Sequence, residues 1–445
     1  MTYFFTSLFY VDVLAKVMMA LVIFIGLCVG SFAYRYLQGD IKYRLFFLQL
    51  SLLIASICVM VSADHLALLV GAWCLSNMLL VRLMIHKSSW QPAKASGLIS
   101  AKNYCLGAAC VVAAFIIFYG LTGETSIQSL LQDHPQSGLM LVPLALLLVG
   151  AMTQSAIWPF HRWLTSSLNS PTPVSAIMHA GLVNGGGFLL IRFAPLYLEQ
   201  SYLLTTIFVI GIVSALLGTL WKLMQSDIKR MLACSTMGQM GFMLAQCGLG
   251  LFPAAAAHLI WHAMFKAYLF LASGSVAQEK RFDLSYPPSL LTFIYALGCG
   301  VVGSFGFALT SHESWLADNT TLVLIVVAFL AASQFSLPML RQKTLQSLPY
   351  VFLATGFIGL AYGASVYVII QLMKPMHVMQ PQPLNGLHII GIIALILSWL
   401  CIPYIRNSEK TESKEWRLKG YVKALNASQP HPDTVTAHRN HYQYL

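Results

Sequence analysis

The sequence predicts an all-α polytopic membrane protein, and three observations carry that prediction. Of its 445 residues, 58% are hydrophobic and only 9% charged, whereas a soluble domain carries about 25% charged residues; the mean hydropathy is +0.71. The apolar runs are long enough to cross ~30 Å of hydrocarbon as helices of ~20 residues. They lack the short alternating segments of about ten residues that a closed β-barrel would need. A soluble enzyme is thereby excluded. No Lys/Arg run or low-complexity stretch interrupts the apolar body, which sets aside disorder and nucleic-acid binding.

Thirteen runs reach spanning length: residues 9–37, 43–63, 65–86, 97–120, 138–160, 172–194, 201–224, 228–249, 253–277, 289–310, 319–340, 349–372 and 385–405. The first is too long, and too soon followed by others, to read as a cleaved signal peptide, so it is expected to belong to the mature fold.

Charge orients these spans. Most of the 26 Lys and Arg residues fall in alternate connections, among them Arg35, Lys42 and Arg44, then Arg82, Lys87, Lys94 and Lys102, then Arg162. Lys222, Lys229 and Arg230 follow, then Lys280 and Arg281, Arg341 and Lys343, and the tail from Arg406. The opposite connections carry Asp64, Glu124, Asp133, Glu199, Glu313 and Asp318, with Arg192 and Lys374 as basic exceptions and Lys16 near the outer end of the first helix. The positive-inside rule then places the N-terminus outside and the C-terminus in the cytoplasm, which requires an odd number of spans. The net charge of +11 needs no acidic partner, since basic loops lie near anionic lipid.

Residues 1–405 thus form the transmembrane domain and 406–445 a basic cytoplasmic tail. Within the tail, Trp416, Leu418, Tyr421, Val422 and Leu425 fall at helical spacing beside Lys414, Arg417, Lys419 and Lys423. This amphipathic stretch is expected to lie on the membrane face or to dock a partner. Nine cysteines, including Cys28, Cys58, Cys110, Cys234 and Cys299, sit mostly in apolar runs without metal-ligand spacing and read as buried, inert thiols. No metal or cofactor is expected in this chain.

Ionisable residues at membrane depth are costly, about 2.5 to 3.5 kcal/mol on insertion scales, and tend to mark ion paths. Lys266 lies near the middle of the 253–277 run, and His258 and His262 precede it at intervals of four. Each step of four rotates by about 40° on a helix, so the three share one stripe. Removal from water disfavours the charged form of an amine, and imidazoles titrate near neutrality, so such a stripe can exchange protons at cellular pH. The plainer alternative is that both histidines hydrogen-bond to neighbouring helices and Lys266 pairs with a carboxylate. Three aligned groups favour the relay.

Two further segments support a conducting interior. SPTPVSAIMHAG (residues 170–181) opens a helix after two prolines and places His179 about two turns inside, and Trp158-Pro159 just upstream suggests an interrupted span. Broken backbone survives in a membrane only where protein or water satisfies it; an ordinary proline kink is the competing reading. In SDIKRMLACSTMGQMGF (residues 226–242), Asp227, Lys229 and Arg230 crowd a helix start. Asp227 there is expected to cap the helix, with a proton-collecting entry as the alternative for Asp227 and Lys229.

PTPVSAIMHA, SDIKRMLACSTMGQMGF and HLIWHAMFKAYLFLASGSV (residues 258–276) together resemble the signature segments of the antiporter-like subunits of respiratory complex I and Mrp-type cation antiporters. The likeness spans roughly residues 12–316. It implies two inverted five-helix units, at about 43–194 and 201–340, each with a broken helix. The family's ionisable positions match at His179, His258, His262 and Lys266, and in SFGFALTSHESWL (residues 304–316) His312 falls where those subunits carry a lysine. Two positions depart: Cys74 stands where complex I subunits have glutamate, and Gln154 where they have lysine. The chain is also expected to begin at what is the third helix of the long complex I subunits and to end before their lateral helix and final anchor. A replacement complex I pump is therefore not expected.

PFHRWLTSSLNSPTPVSAIMHAGLVNGGGFLLIRFAPLY (residues 159–197) is similar instead to DabB-type membrane subunits of inorganic carbon accumulation complexes. That resemblance implies a DabA-type partner, related to β-carbonic anhydrases and holding zinc, that hydrates carbon dioxide while this chain draws on a proton or Na+ gradient. Lys266 would be the central proton carrier, His258 and His262 its relay, His179 the link toward the first unit and His312 an exit. The alternatives are a cation/proton antiporter or hydrogenase-type pump subunit, and a non-conducting scaffold for a catalytic partner.

Overall fold

The computed structural model describes residues 8–132, 138–274, 288–312, 318–340, 344–406 and 415–435. Asp133, Lys280, Arg281, Glu313, Arg341, Lys343 and Lys414, invoked above for the charge pattern, lie outside the described residues.

The described chain is a bundle of helices: α1 (Val13–Tyr36), α2 (Tyr43–Ser62), α3 (Leu66–Met84), α4 (Gln91–Thr122), α5 (Leu141–Gln154), α6 (Thr172–Arg192), α7 (Ser201–Met224), α8 (Ile228–Gly248), α9 (Phe252–Leu271), α10 (Leu290–Ser311), α11 (Thr321–Leu340), α12 (Thr344–Met373), α13 (Gly386–Arg406) and α14 (Glu415–Ser428). Pairing of extended backbone among the described residues is confined to isolated bridges such as Phe9 with Ala63 and Leu251 with Met379. The chain is a multi-pass membrane protein of the all-α class. Among the described residues, ten helices are long and apolar enough to cross a membrane. Of the thirteen expected spans, 138–160 and 385–405 contain shorter apolar helices, Gly138–Gln154 and Gly386–Cys401, and α8 is not among the ten. The deficit in α8 is chemical, since Lys229, Arg230, Ser235, Thr236, Gln239 and Gln246 dilute its apolar residues.

Local chemistry sets the helix starts. Asp12 caps α1 by accepting from the Ala15 N–H at 2.8 Å, and Asp227 caps α8 by accepting from the Arg230 N–H at 2.9 Å. Proline stands in the first turn of α4, α6 and α9, where its missing N–H leaves no bond unmade. Pro171 and Pro173 therefore begin α6 rather than kink it.

α6 is buried along its whole length and is the axis around which the site is built. Small residues allow this: a Cβ on Gly186 would stand 2.3 Å from the Ala151 carbonyl oxygen of α5. The same logic joins α7 to α8, where a Cβ on Gly218 would lie 2.4 Å from the backbone nitrogen of Gly238. Backbone atoms cannot step aside, so Gly218→Leu is expected to separate the pair and abolish folded yield, measured by size-exclusion chromatography in detergent, while Gly30→Leu, which meets nothing within 4 Å, leaves it intact.

The connections gather at two ends. One end brings together the turns near Asp40, His86, Ser166, Asn169 and Asp227; the other gathers Asp12, Asp64, Ser126, Arg192 and Gln382. At the first end His86 Nε2 meets Asp40 Oδ2 at 2.9 Å, and Lys42 Nζ donates to the His86 carbonyl at 2.9 Å. The hydrogen bond from His86 holds the Asp40 carboxyl below the usual carboxylate range. A depressed pKa stabilises the fold above the unfolded value and ceases to do so as pH falls through the folded one. Hydrogen exchange of residues 37–45 is therefore expected to separate wild type from Asp40→Asn at pH 6, and the two to converge as acid protonates Asp40.

The tail attaches at this end. Thr434 O accepts from Asn169 Nδ2 at 2.7 Å, Ser166 Oγ accepts from the His431 N–H at 3.0 Å, and Ser428 Oγ from Gln225 Nε2 at 2.8 Å. Trp416, Leu418, Tyr421 and Val422 remain exposed on α14. The cysteine expectation needs correcting. Cys234, Cys247 and Cys299 are buried, but Cys28, Cys58 and Cys110 are only half-buried, and Cys74, Cys105 and Cys401 are exposed, because their helices present those faces outward.

Candidate functional site

α9 carries His258, His262 and Lys266 on one buried stripe. Lys266 is 0% exposed and His262 is 4% exposed. The two imidazoles lie 6.3 Å apart with their planes at 18°. Both ring nitrogens of His262, and Nε2 of His258, have no protein partner; buried polar atoms left so are where ordered water commonly binds. Among the described residues no carboxylate reaches Lys266. Its Nζ donates instead to the Leu232 carbonyl of α8 at 3.2 Å. The plainer reading, in which neighbouring helices satisfy both histidines and a carboxylate neutralises the lysine, does not describe this geometry.

His179 is linked to the same carbonyl through Thr236. It sits on a π-helical turn, Met178–Leu182, inserted within α6. Its ring stacks on Phe270 with centroids 4.2 Å apart, and Nδ1 meets Thr236 Oγ1 at 3.0 Å. Thr236 in turn donates to Leu232 O at 3.0 Å. One carbonyl thus holds both the Lys266 ammonium and the hydroxyl that faces His179. With Thr236 donating to Leu232, the 3.0 Å contact assigns the proton to His179 Nδ1. Thr236 escaped sequence reasoning although it lies four residues after Leu232, one helical turn on. Thr236→Val keeps the shape but removes the hydroxyl that faces His179: a loss of about 1 kcal/mol of stability is expected in detergent-unfolding titrations, with Thr236→Ser restoring it.

The π turn needs partners for its displaced carbonyls, and α5 supplies them. Gln154 Nε2 donates to Leu182 O at 3.3 Å and Ser155 Oγ to Val183 O at 2.7 Å. Gln154 also exchanges two amide hydrogen bonds with Asn77, at 3.1 and 2.9 Å. Cys74 is exposed and points away from this pair, so Asn77, one turn further along α3, is the residue that meets Gln154. The interruption after α5 is present: the helix stops at Gln154, and Arg162–Thr165 resumes after a turn that contains a cis Trp158-Pro159 bond.

Asp227 acts as the cap described above, and Lys229 Nζ donates to Ser170 O at 3.2 Å, tying the start of α8 to the start of α6. His312 stands apart from the stripe. It ends α10 with φ of 60°, is exposed, and lies against Tyr367 with centroids 4.7 Å apart. No chain of hydrogen bonds joins it to His258 among the described residues. The described residues also hold no group of three or more His, Cys, Asp or Glu side chains placed for a metal ion.

The described residues thus form an all-α membrane bundle that holds a file of two imidazoles and one amine in its interior. Residues 63–297 match the family described as NADH:quinone oxidoreductase/Mrp antiporter, TM, and the chain belongs to that family. Among its relatives, the probable inorganic carbon transporter subunit DabB1 of Halothiobacillus neapolitanus is 39% identical over 280 residues, 61% of this chain and 50% of that protein. The probable inorganic carbon transporter subunit DabB of Bacillus subtilis is 38% identical over 275 residues, 60% of this chain and 53% of that protein. The chain thus spans about half the length of the curated relatives it matches. A chain in the structure of the Mrp complex from Dietzia sp. DQ12-45-1b shares the fold, with a TM-score of 0.60, 21% identity, and coverage of 94% of this chain and 52% of that one.

Proposed function

We propose that this chain is a DabB-type energy-coupling subunit of a bacterial cytoplasmic membrane. It conducts protons, or Na+, down their gradient and couples that flow to carbon dioxide and bicarbonate accumulation by a DabA-type partner that holds zinc and performs the hydration. The N-terminus lies outside, and the end that gathers Asp40, Asn169 and the tail faces the cytoplasm. Two inverted units, about 43–194 and 201–340, meet at His179 and α9. The observation that carries this reading is Lys266, fully buried on a carbonyl with no counter-charge among the described residues, joined through Leu232 and Thr236 to His179. Lys266 is the carrier, His262 and His258 its relay along α9, and His179 the link toward the first unit; His312, exposed at the end of α10 and apart from the stripe, is the candidate exit. Asp227 and Lys229 shape the cytoplasmic approach.

The energetics are sufficient. One charge crossing about 100 mV releases about 2.3 kcal/mol, and about 1.4 kcal/mol is a tenfold ratio, so one proton per turnover supports a gradient of about fifty-fold. The test uses membrane vesicles containing the chain with its partner. Labelled bicarbonate is expected to accumulate only under an imposed gradient and to leak away when a protonophore is added.

A second reading, a non-conducting scaffold, draws support from Cys74 and Gln154, which stand where the resemblance puts a glutamate and a lysine in complex I subunits; Gln154 is bonded instead to the neutral Asn77. Full uptake with no gradient would favour it. Gradient-driven cation flux in the absence of inorganic carbon would favour an antiporter or a hydrogenase-type pump instead.

A further inference from the structure

Beside the attached tail, the last turns of α3 and the first turns of α4 part to leave an open-sided groove of about 620 Å³, a volume in the range of small-molecule sites. Its walls are apolar, with Val81 and Ile85 from α3 and Leu98 and Ala101 from α4. Its mouth is charged: Lys94 stands on α4, and Asp433 is brought to the same rim by the 3-10 turn Pro432–Thr434 of the tail. The turn is held there by the bonds from Asn169 to Thr434 and from His431 to Ser166.

The groove opens on the outer surface of the bundle. Leu98 is 56% exposed, and Leu106, Val112, Ile116 and Tyr119 continue an exposed apolar surface along α4. In a membrane-spanning helix such a surface faces acyl chains. The Lys94 ammonium has no partner among the described residues. Asp433 has only the His431 ring, 3.5 Å away and also exposed.

We propose that this groove binds one phospholipid with a primary-amine headgroup, of the phosphatidylethanolamine class. An acyl chain lies along Val81, Ile85, Leu98 and Ala101, the phosphate meets Lys94, and the headgroup ammonium donates to the Asp433 carboxylate. The two opposite charges at one mouth match the two charges of this headgroup. Phosphatidylcholine has the same charges, but its quaternary nitrogen has no N–H to donate. Phosphatidylglycerol satisfies Lys94 but brings no cation to Asp433, whose carboxylate repels the net negative lipid. The bound lipid would bridge α4 to the tail and help to fix the tail against the bundle.

The test incorporates the full chain into nanodiscs of equal phosphatidylethanolamine, phosphatidylcholine and phosphatidylglycerol, then identifies the lipids retained on purification by native mass spectrometry. Wild type is expected to retain phosphatidylethanolamine about tenfold over either competitor, the scale of one charge-assisted hydrogen bond. Asp433→Asn, an exposed change, should erase the preference over phosphatidylglycerol. Lys94→Gln should lower retention of all three, and Leu98→Trp, which fills the groove, should remove one bound lipid. Equal retention of the three lipids by wild type, or an unchanged preference in Asp433→Asn, overturns the proposal.

Discussion

Lys266→Ala is expected to reduce gradient-driven bicarbonate accumulation by about a hundredfold or more, the lower range for loss of a group that transfers protons, with normal assembly of the complex. The amine is held by a single carbonyl; no carboxylate among the described residues opposes release of its proton. Removing an amine buried without a counter-charge leaves no orphaned anion behind, so Lys266→Met should be neutral or stabilising. That separates a transport role from a structural one. Lys266→Arg separates proton exchange from mere charge: a guanidinium can still donate to Leu232 but cannot lose its proton in a protein. It should be as inactive as alanine. Uptake that survives Lys266→Ala in an assembled complex would remove the carrier from the mechanism, and full activity of Lys266→Arg would show that a fixed positive charge is enough.

The parts of this architecture that were legible from residues alone are those written in local periodicity. Helix class follows from apolar run length, and the stripe of His258, His262 and Lys266 follows from spacing by four on one helix. The amphipathic α14 is likewise visible in Trp416, Leu418, Tyr421 and Val422. What stayed hidden depends on separation in the chain. Asn77 and Gln154 meet across 77 residues, and His179 and Thr236 across 57; no single-helix pattern announces either. The π turn at His179 is also invisible, because Met178–Leu182 contains no proline, and the carbonyls of Leu182 and Val183 find their partners in Gln154 at the end of α5 and Ser155 just after it. Cys74 stands by resemblance at a glutamate position, yet helix rotation turns it outward and brings Asn77 inward. His312, placed by resemblance, lies at the end of α10, where a side chain beside Tyr367 is exposed.

Asp12→Asn is expected to cost about 3 to 5 kcal/mol of stability, the range for removing one partner of a buried ion pair. Arg192, one of the two basic exceptions on the acidic side of the charge pattern, is buried in α6 and forks onto Asp12: Nη1 meets Oδ2, and Nη2 meets Oδ1 at 3.2 Å while also donating to Val61 O at 2.9 Å. The side chains of Arg192 and Asp12 are 5% and 9% exposed, so water screens the pair little. It fastens the start of α1 and the end of α2 to the end of α6, the helix that bears His179. Asparagine is a good N-cap, so Asp12→Asn keeps the bond to the Ala15 N–H and removes only the charge. Arg192 would then remain as an uncompensated buried cation. Arg192→Met should cost less, because Asp12 retains its cap and lies nearer the surface, and the double variant should recover most of the loss. Detergent-unfolding titrations of the four proteins would measure this coupling. Additive single losses would mean that the two side chains contribute separately and that no coupling between them holds α6 in place.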